Sequence, residues 1–463
     1  MSPNRPSVSP VHAILVPVLG RMAAAGVAAL FAVSAWAQPV ALRHVRLIDG
    51  SGSAPLVDAT VVVDGGRIVA LGAEAGVAIP EGAQQIDLTG RSVLPGLISD
   101  HSHVGLVDGT TVGPQHYTRA NVERQLQQWQ RHGVTTVTSL GMNAPLFNAL
   151  RDEAHAGTLK GADLFGADRG FGVRNGAPPV KVGADQLYTP DTPEQARQMV
   201  RDSATRKPDV LKIWVDDFAH TLPFKMKPEI YRAIIDEAHR LGLRTAAHVY
   251  YLDDARDLVE SGVDIIAHGI RDRPVDDALI RAMQARGTWY IPTLGLDETF
   301  YVWAQRPQWT REPFALAGLQ PALLAQFDDG AWREKTLSDS AALARNQASL
   351  AMNQRNLKRL YDSGVNIGFG TDSGANALRV PGVAEHRELQ LMVDAGLSPM
   401  QALQIATRNA AALLGLKDRG RLAVGGRADL LVVDGDPTTD IAALQRIDAV
   451  WQRGERVAGP VAK

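Results

Sequence analysis

The sequence has 463 residues, a formal net charge of -2, 45% hydrophobic and 21% charged residues, and 12 histidines but no cysteine. This composition is typical of a globular protein, and the small net charge gives no electrostatic reason to expect a nucleic-acid partner. Without cysteine, disulfides, thiolate catalysis and cysteine-ligated metal centres are excluded. Any metal must therefore be bound by histidine, carboxylate or a modified side chain.

Residues 1–37 are predicted to be an export signal. Arg5 and Arg21 precede the apolar run MAAAGVAALFAVSA, which ends in Ala-Trp-Ala before Gln38. This order is typical of a signal peptide, here cleaved after Ala37. A buried helix or a membrane anchor is the alternative, but about 14 apolar residues are short for a membrane span. We expect a periplasmic or secreted protein without a stable membrane anchor after cleavage.

The two ends of the mature chain, residues 38–93 and 416–463, share a β-rich pattern. Near the N-terminus, ALRHVRLIDG, ATVVVDGGRIVALG and QQIDLTG alternate apolar and polar residues between glycine-containing turns. The DGG motif predicts a hairpin turn. GRLAVGGRADLLVVDGDP and IDAVWQRGERVAG repeat the pattern near the C-terminus. Both ends are predicted to form one small sheet domain.

Residues 94–415 instead alternate strand-like runs with amphipathic helices. An opening strand that ends in DHSH is followed by VTTVTSL, ADLFGAD, DVLKIWVDD, RTAAHVYY, VDIIAHGI, GTWYIPTL and VNIGFGTDSG. Helical patterns such as PEIYRAIIDEAHRLG and DDALIRAMQARG lie between them and end near glycine. Eight such units predict the α/β class and a (β/α)8 TIM barrel, whose active face lies at the carboxyl ends of the strands.

Residues 297–350 follow the seventh predicted strand and form a long insertion. Its aromatic residues are Phe300, Tyr301, Trp303, Trp309, Phe314, Phe327 and Trp332. Two interpretations stay open: these side chains pack a core of the insertion itself, or they form a lid or substrate wall over the active face.

Six ionisable residues lie in or at the end of the predicted strands. They are His101, His103, Lys212, His248, His268 and Asp372. Because side chains alternate along a strand, His101 and His103 point the same way, and two imidazoles aimed into one space suggest a metal. Taken singly, a histidine of this kind also fits a hydrogen-bonded core residue, and Asp372 also fits a helix cap. In the predicted barrel all six converge on one site.

Lys212 has a more specific interpretation. In DVLKIWV the alternation turns Val210, Lys212 and Trp214 towards the barrel interior, where a lysine is costly unless it is modified or paired. Desolvation favours the neutral amine, which can add carbon dioxide to form a carbamate. We therefore expect a carbamate on Lys212 whose two oxygens bridge two cations.

The motifs DHSH, LKIWV, AHVYY, IAHG and GTDSG, in this order on eight predicted strands, resemble the amidohydrolase superfamily. The similarity is to its binuclear form with a carboxylated lysine, and the terminal strands resemble the small β-sandwich of that family. The resemblance covers nearly the whole mature chain.

This resemblance implies that His101, His103 and Asp372 bind one divalent cation. His248 and His268 would bind the second, with the carboxylated lysine bridging both. Zinc is the default for nitrogen and oxygen ligands, although manganese, cobalt or iron would fit the same set. It also implies a metal-bridging hydroxide that attacks the scissile carbonyl, while Asp372 takes its proton and delivers it to the leaving nitrogen.

The branches that the chain resembles are Xaa-Pro dipeptidases, ochratoxin amidases and imidazolonepropionase-like proteins. Several of those relatives carry a histidine after the third strand, where GADRGFGVRNG instead offers Asp168, Arg169 and Arg174. Arg169 or Arg174 could pair with a substrate carboxylate, since guanidinium matches carboxylate geometry. A surface ion pair explains each arginine equally well.

Three further residues are candidates for contact with substrate. Tyr250 shares the inward parity of His248 and could donate its hydroxyl to a developing oxyanion. Tyr251 is the alternative if the strand geometry loosens at the rim. Asp216 shares the parity of Lys212 and could orient a ligand or substrate, or could be an ordinary loop carboxylate.

The predicted function is that of an exported, binuclear metal-dependent hydrolase. Its substrate would be a small molecule with an amide C–N bond, such as an N-acyl amino acid, a dipeptide or an aryl amide. Lactone, ester or phosphotriester hydrolysis would use the same metal core, and a non-catalytic binding protein on this fold is a third hypothesis. Deamination is disfavoured, because deaminases of the superfamily resemble a one-metal pattern that lacks the strand-four lysine. A homo-oligomer is compatible with the sequence.

Overall fold

The structure, a computed structural model, describes residues 38–461, so the predicted signal peptide lies outside the described residues. The described chain opens with five strands: β1 (Val40–Leu47), β2 (Leu56–Asp64), β3 (Arg67–Ala73), β4 (Gln84–Asp87) and β5 (Arg91–Pro95). β2 and β3 pair antiparallel with Asp64 opposite Arg67. The turn between them uses Gly65 and Gly66, both at positive φ, as a tight two-residue hairpin turn requires. The hairpin predicted from the DGG motif is confirmed.

Eight parallel strands follow, one in each predicted strand-like run. The eight are β6 (Leu97–Ser102), β9 (Val134–Ser139), β10 (Asp163–Gly166), β11 (Leu211–Trp214), β12 (Thr245–His248), β13 (Ile265–Ala267), β14 (Trp289–Ile291) and β15 (Asn366–Ile367). Between β6 and β9 lies a separate two-stranded hairpin, β7 (Val107–Asp108) and β8 (Thr111–Val112). The eight strands form a three-stranded sheet, β10-β9-β6, and a five-stranded sheet, β11 to β15 in chain order. Isolated parallel bridges, Ser102 to Ser373 and Phe171 to Ile213, join the edges of the two sheets.

Helices separate these strands, as the amphipathic patterns predict. They are α1 (Arg119–Arg131), α2 (Leu146–Ala156), α3 (Pro193–Ala204), α4 (Pro228–Arg240), α5 (Leu252–Glu260), α6 (Asp277–Arg286), α7 (Gly295–Gln305), α8 (Pro313–Leu316), α9 (Pro321–Asp328), α10 (Gly330–Ser338), α11 (Ser340–Asp362), α12 (Val383–Asp394), α13 (Pro399–Gln404) and α14 (Ala410–Leu413). The α6 helix shows how the sequence sets its ends: Asp276 accepts the N–H of Leu279, and Gly287 closes the helix in the left-handed conformation.

Three C-terminal strands, β16 (Leu430–Asp434), β17 (Ile447–Gln452) and β18 (Glu455–Ala458), complete the chain. They join β1 to β5 in one eight-stranded sheet, in which β16 pairs with β5. Both ends therefore contribute to the same sheet, as predicted. A separate β-sandwich domain stays a prediction, because the described chain divides into no smaller units. No described helix is both long and apolar enough to span a membrane.

The insertion after β14 is helical, and its aromatic side chains pack in a hydrophobic cluster that also includes Val107, Ala377, Val380 and Val383. Trp303 and Phe327 stack with ring centroids 4.4 Å apart. Trp309 and Trp332 lie 5.4 Å and 5.5 Å, respectively, from one of these two rings. Four of the predicted aromatic residues therefore pack within the insertion, whereas Phe300 is 42% exposed.

Asp163, at the start of β10, joins the parallel strands to the C-terminal segment. Its carboxylate accepts hydrogen bonds from the guanidinium groups of Arg419, Arg427 and Arg453 and from the amide of Gln452. The Asp163 side chain is 4% exposed, so this is a buried ionic cluster with its acceptors and donors matched.

A buried histidine pair lies away from the cluster of ionisable residues. His386 Nε2 donates to the backbone carbonyl of His132 over 2.8 Å, and His132 Nδ1 donates to that of Gln128 over 2.8 Å. Phe314 contacts both rings edge-on, with centroids 4.9 Å and 4.5 Å away. Burial lowers the pKa of His132 to about 4 and that of His386 to about 3. Both imidazoles are therefore neutral at pH 7.

The pair predicts a loss of stability in mild acid. The unfolded chain takes up protons near pH 6.5 whereas the folded chain does not, so the free energy of unfolding falls as the pH drops from 6.5 towards 4. Each histidine contributes up to about 1.4 kcal/mol per pH unit. Urea titrations at several pH values should show a shallower acid dependence for His386→Gln than for wild type. An exposed control, His155→Gln, should keep the wild-type slope, and an unchanged slope in the first variant would contradict the prediction.

Candidate metal centre

The predicted ligands lie together at the carboxyl ends of the parallel strands. Asp372 Oδ1 lies 3.3 Å from His101 Nε2 and 3.0 Å from His103 Nε2. The His268 ring is centred 4.5 Å from that of His101 and 4.3 Å from that of His248. Possible ligand atoms of His101, His268 and Asp372 all lie within 4.8 Å of one another. The structure therefore brings these five residues into one buried cluster.

The backbone fixes the direction of three of these side chains. His103 Nδ1 donates to the carbonyl of Gly141 over 3.1 Å, which leaves Nε2 towards Asp372. His268 and Asp372 both have positive φ, 76° and 58°. Such conformations cost energy for residues other than glycine and are concentrated at functional sites.

Lys212 lies in β11 with its side chain fully buried. Its Nζ has no hydrogen-bond partner within residues 38–461 and lies 5.4 Å from the centroid of the Trp214 ring. Burial lowers the pKa of Lys212 to about 7, against the opposing attraction of Asp372 and Asp216. The amine is therefore available in its neutral form near pH 7.

The unpartnered atoms test whether this site fits a metal. Both ring nitrogens of His101 and of His248, and Nδ1 of His268, are buried and make no hydrogen bond in the described part of the chain. The Nε2 atoms of His101 and His248 lie 3.3 Å and 3.4 Å from a carboxylate oxygen, but not in hydrogen-bonding geometry. Leaving such groups unsatisfied costs about 1–3 kcal/mol each. A divalent cation bound to one nitrogen of each imidazole and to carboxylate oxygen would satisfy that nitrogen in each ring, so the residues fit a metal centre.

The electrostatics favour the ligand forms of these side chains. Burial, with a further contribution from Lys212, lowers the pKa of His101 to about 3. Burial also holds the pKa of His268 well below its ordinary value. At Asp372 burial opposes ionisation, but Arg379 and the two nearby histidines outweigh it and hold the pKa well below the ordinary range. Neutral imidazoles and an ionised carboxylate are the forms that bind metals.

A cavity of about 600 Å³ opens over the cluster. His103, His248, His268 and Asp372 form part of its floor. Helices α7 and α11 form one wall, which carries Phe300 and Tyr301 from the insertion. Some aromatic residues of the insertion therefore pack against one another, and others form a wall of this cavity. Each of the two interpretations of the insertion thus applies to part of its aromatic residues.

Of the remaining predicted residues, Tyr250 lines the cavity, and its hydroxyl lies 3.2 Å from Ser349 Oγ on α11. The Tyr251 hydroxyl instead donates to Asp217 over 2.7 Å. Asp216 is fully buried beside the cluster, with Oδ1 3.4 Å from His248 Nε2. Burial opposes ionisation of Asp216, but the charge interaction with His248 lowers its pKa.

Arg169 and Arg174 lie elsewhere. The Arg169 guanidinium lies over the Tyr188 ring, 4.9 Å from its centroid. Arg174 is an exposed residue that pairs with Asp191 over 3.1 Å. Neither arginine lines the cavity over the histidines. For Arg174 the structure shows the alternative interpretation, a surface ion pair.

Sequence reasoning missed two other arginines that line the cavity. Arg271 pairs with Asp297 over 3.2 Å and lies over the Tyr250 ring, and Arg379 pairs with Asp372. Arg271 follows His268 by three residues and Arg379 follows Asp372 by seven. Their position in the loops after ligand-bearing strands is the signal that could have found them.

Comparison with known proteins gives the class. The sequence profile of the amidohydrolase family matches residues 92–457, which is most of the chain. The chain therefore belongs to the amidohydrolase family.

Individual relatives agree with this assignment. The chain is similar to an imidazolonepropionase from Deinococcus deserti, 40% identical over 104 residues, 22% of this chain and 26% of that protein. An imidazolonepropionase from Streptomyces avermitilis is 23% identical over 88% of this chain and 90% of its own length. A crystal structure of a putative prolidase from Bifidobacterium longum superposes with a TM-score of 0.73, 28% identity, and coverage of 92% of this chain and 96% of the other.

Proposed function

We propose that this chain is an exported, metal-dependent hydrolase that cleaves an amide C–N bond in a small molecule. The observation that carries the proposal is the cluster of buried, unpartnered imidazole nitrogens beside an ionised Asp372 at the base of a large cavity. The two sheets, bridged at both edges, support closure into a (β/α)8 barrel with this site at its carboxyl face. Membership of the amidohydrolase family supports the hydrolase class.

The donor set suits two divalent cations. His101, His103 and Asp372 would hold one, and His248 and His268 the other. Zinc suits this combination of nitrogen and oxygen ligands. The mutual distances of the side chains support the grouping, since Asp372 Oδ1 lies about equally far from the first two imidazoles.

Lys212 would bridge the two cations as a carbamate. Its neutral amine adds carbon dioxide and releases one proton, so that a new N–C bond turns the side chain into a carboxylate. The buried and unpartnered Nζ, which both Asp372 and Asp216 attract electrostatically, supports this role. An uncharged amine left there would be an unsatisfied polar group, whereas a carbamate has two oxygens to donate to cations.

When bound, the cations supply polarisation of a carbonyl and acidification of water at neutral pH. Asp372 would accept a proton at its carboxylate and pass it to the leaving nitrogen. Tyr250 would turn its hydroxyl from Ser349 to the substrate carbonyl oxygen. Phe300, Tyr301 and Trp214 on the cavity wall would bind an apolar or aromatic part of the substrate and exclude water.

A product search tests this function. The purified mature protein, loaded with zinc, is incubated with N-acyl amino acids, proline dipeptides, aryl amides, lactones, esters and phosphotriesters, with and without a chelator. Mass spectrometry should find an amine and a carboxylate, and the chelator should abolish their release. Turnover of lactones, esters or phosphotriesters alone would contradict the bond class, and turnover that survives the chelator would contradict the metal dependence.

A further inference from the structure

Glu385 is a fully buried carboxylate in the first turn of α12. Its Oε1 accepts hydrogen bonds from Thr371 Oγ1 at 2.8 Å and from Ser373 Oγ at 2.7 Å. The same oxygen accepts from Trp129 Nε1 at 3.0 Å and from Ser99 Oγ at 3.4 Å. One oxygen therefore collects four donors from three separate segments of the chain.

Two of these donors flank a proposed metal ligand. Thr371 and Ser373 are the immediate neighbours of Asp372, whose backbone has the unfavourable φ of 58°. Ser373 N also donates to Thr371 Oγ1 over 3.2 Å. The carboxylate of Glu385 therefore holds the chain on both sides of Asp372, and such contacts keep a strained residue in place.

Ser99, one of the other two donors, extends the connection to the strand that carries His101 and leads into His103. Ser99 lies in β6 and also contacts Ser102 Oγ over 3.0 Å. Ser102 and Ser373 form the isolated bridge between β6 and the segment after β15. Glu385 thus contacts both chain segments whose side chains make up one half of the proposed metal centre.

We propose that Glu385 is a positioning residue that sets the geometry of the His101, His103 and Asp372 half of this centre. It touches none of the three side chains but fixes the backbone that presents them. The inference rests on the proposed metal centre and assigns a role to a residue that neither motif nor strand-end position singles out. Loss of a buried residue that orients metal ligands through hydrogen bonds typically lowers the metal affinity about 10–100-fold.

Helix capping does not account for all the contacts of Glu385. Its Oε2 accepts the backbone N–H of Gly382 over 2.7 Å, as a residue three positions into a helix commonly does. The four donors on Oε1 have no part in capping. Glutamine cannot replace the carboxylate at both oxygens, because in either orientation its amide N–H groups face another donor.

Glu388 provides a matched control on the same helix. It is also fully buried, and it accepts the backbone N–H groups of Leu294 and Gly295 over 2.7 Å and 2.8 Å. Those residues lie at the start of α7 and not beside a proposed ligand. Glu388→Gln therefore makes the same substitution at a similar depth without disturbing the segments around Asp372.

The test is a stepwise titration of the chelator-treated protein with Co²⁺, followed by visible absorption and by competition with a chelator. Wild type should bind two cations. Glu385→Gln should weaken one of the two binding steps by about tenfold and leave the other unchanged, while Glu388→Gln should keep both wild-type affinities. Far-UV circular dichroism and thermal unfolding check that each variant is folded.

The outcomes separate this inference from the proposed function. Two wild-type affinities in Glu385→Gln, or equal weakening of both steps, would overturn the positioning role and leave the metal centre intact. A wild-type protein that binds no cation would overturn both. If Glu385→Gln does not fold, the milder double variant Thr371→Val, Ser373→Ala decides: selective weakening of one step supports the role, and unchanged binding overturns it.

Discussion

Lys212→Ala should lower kcat by about 1000-fold, which corresponds to about 4 kcal/mol of transition-state stabilisation. The reason is that the variant removes the side chain proposed to bridge the two cations, and with it the proposed means to hold them together. Steady-state kinetics on the substrate from the product search, together with metal content by mass spectrometry, measure the effect.

A short carboxylic acid added to Lys212→Ala should restore part of the activity, because it can occupy the emptied space and supply two oxygens in place of those of the proposed carbamate. Lys358→Ala, which removes an exposed lysine paired with Asp362, should behave like wild type in both assays. Full activity of Lys212→Ala without the added acid would refute the bridging role.

Asp163→Ala should reduce the free energy of unfolding by about 3 kcal/mol, the lower end of the range for breaking a buried ion pair, because each buried arginine loses one partner but keeps another carboxylate, Asp418 or Asp429. Arg419 and Arg427, whose side chains are less than 10% exposed, would lose their shared acceptor. Urea denaturation followed by tryptophan fluorescence measures the change.

The matched control is Glu153→Ala, which removes the exposed partner of Arg119. Exposed ion pairs of this kind contribute about 0–1 kcal/mol, so this variant should unfold at nearly the wild-type urea concentration. Equal destabilisation by the two substitutions would show that burial of the Asp163 cluster has no special energetic weight.

The strands and the positions of the proposed ligands were predictable because they depend on local patterns. Lys212 and His248 lie in short apolar runs whose alternation assigns each side chain to a face. The same parity placed Tyr250 towards the cavity. These inferences need no knowledge of distant residues, and the structure shows all eight strands in the predicted runs.

Other residues escaped because their surroundings come from distant segments. The donors to Glu385 include Trp129 and Ser99, more than 250 positions away, and no local pattern predicts such a contact. Arg169 and Arg174 lie in an irregular loop, where alternation has no meaning and side-chain direction could not be inferred. Local periodicity therefore predicts the strand-end residues of the site but not the hydrogen bonds around Glu385.

The sheet shared by both ends of the chain has a consequence for the order of folding. β5 pairs with β16, and Arg91 contacts Asp434 across 343 positions of sequence. This pairing cannot form until the C-terminal strands have been synthesised, so β5 remains without its β16 partner for most of translation. Unpaired strand edges promote aggregation. A chain truncated before β16 should therefore accumulate as insoluble material even though its parallel strands are complete.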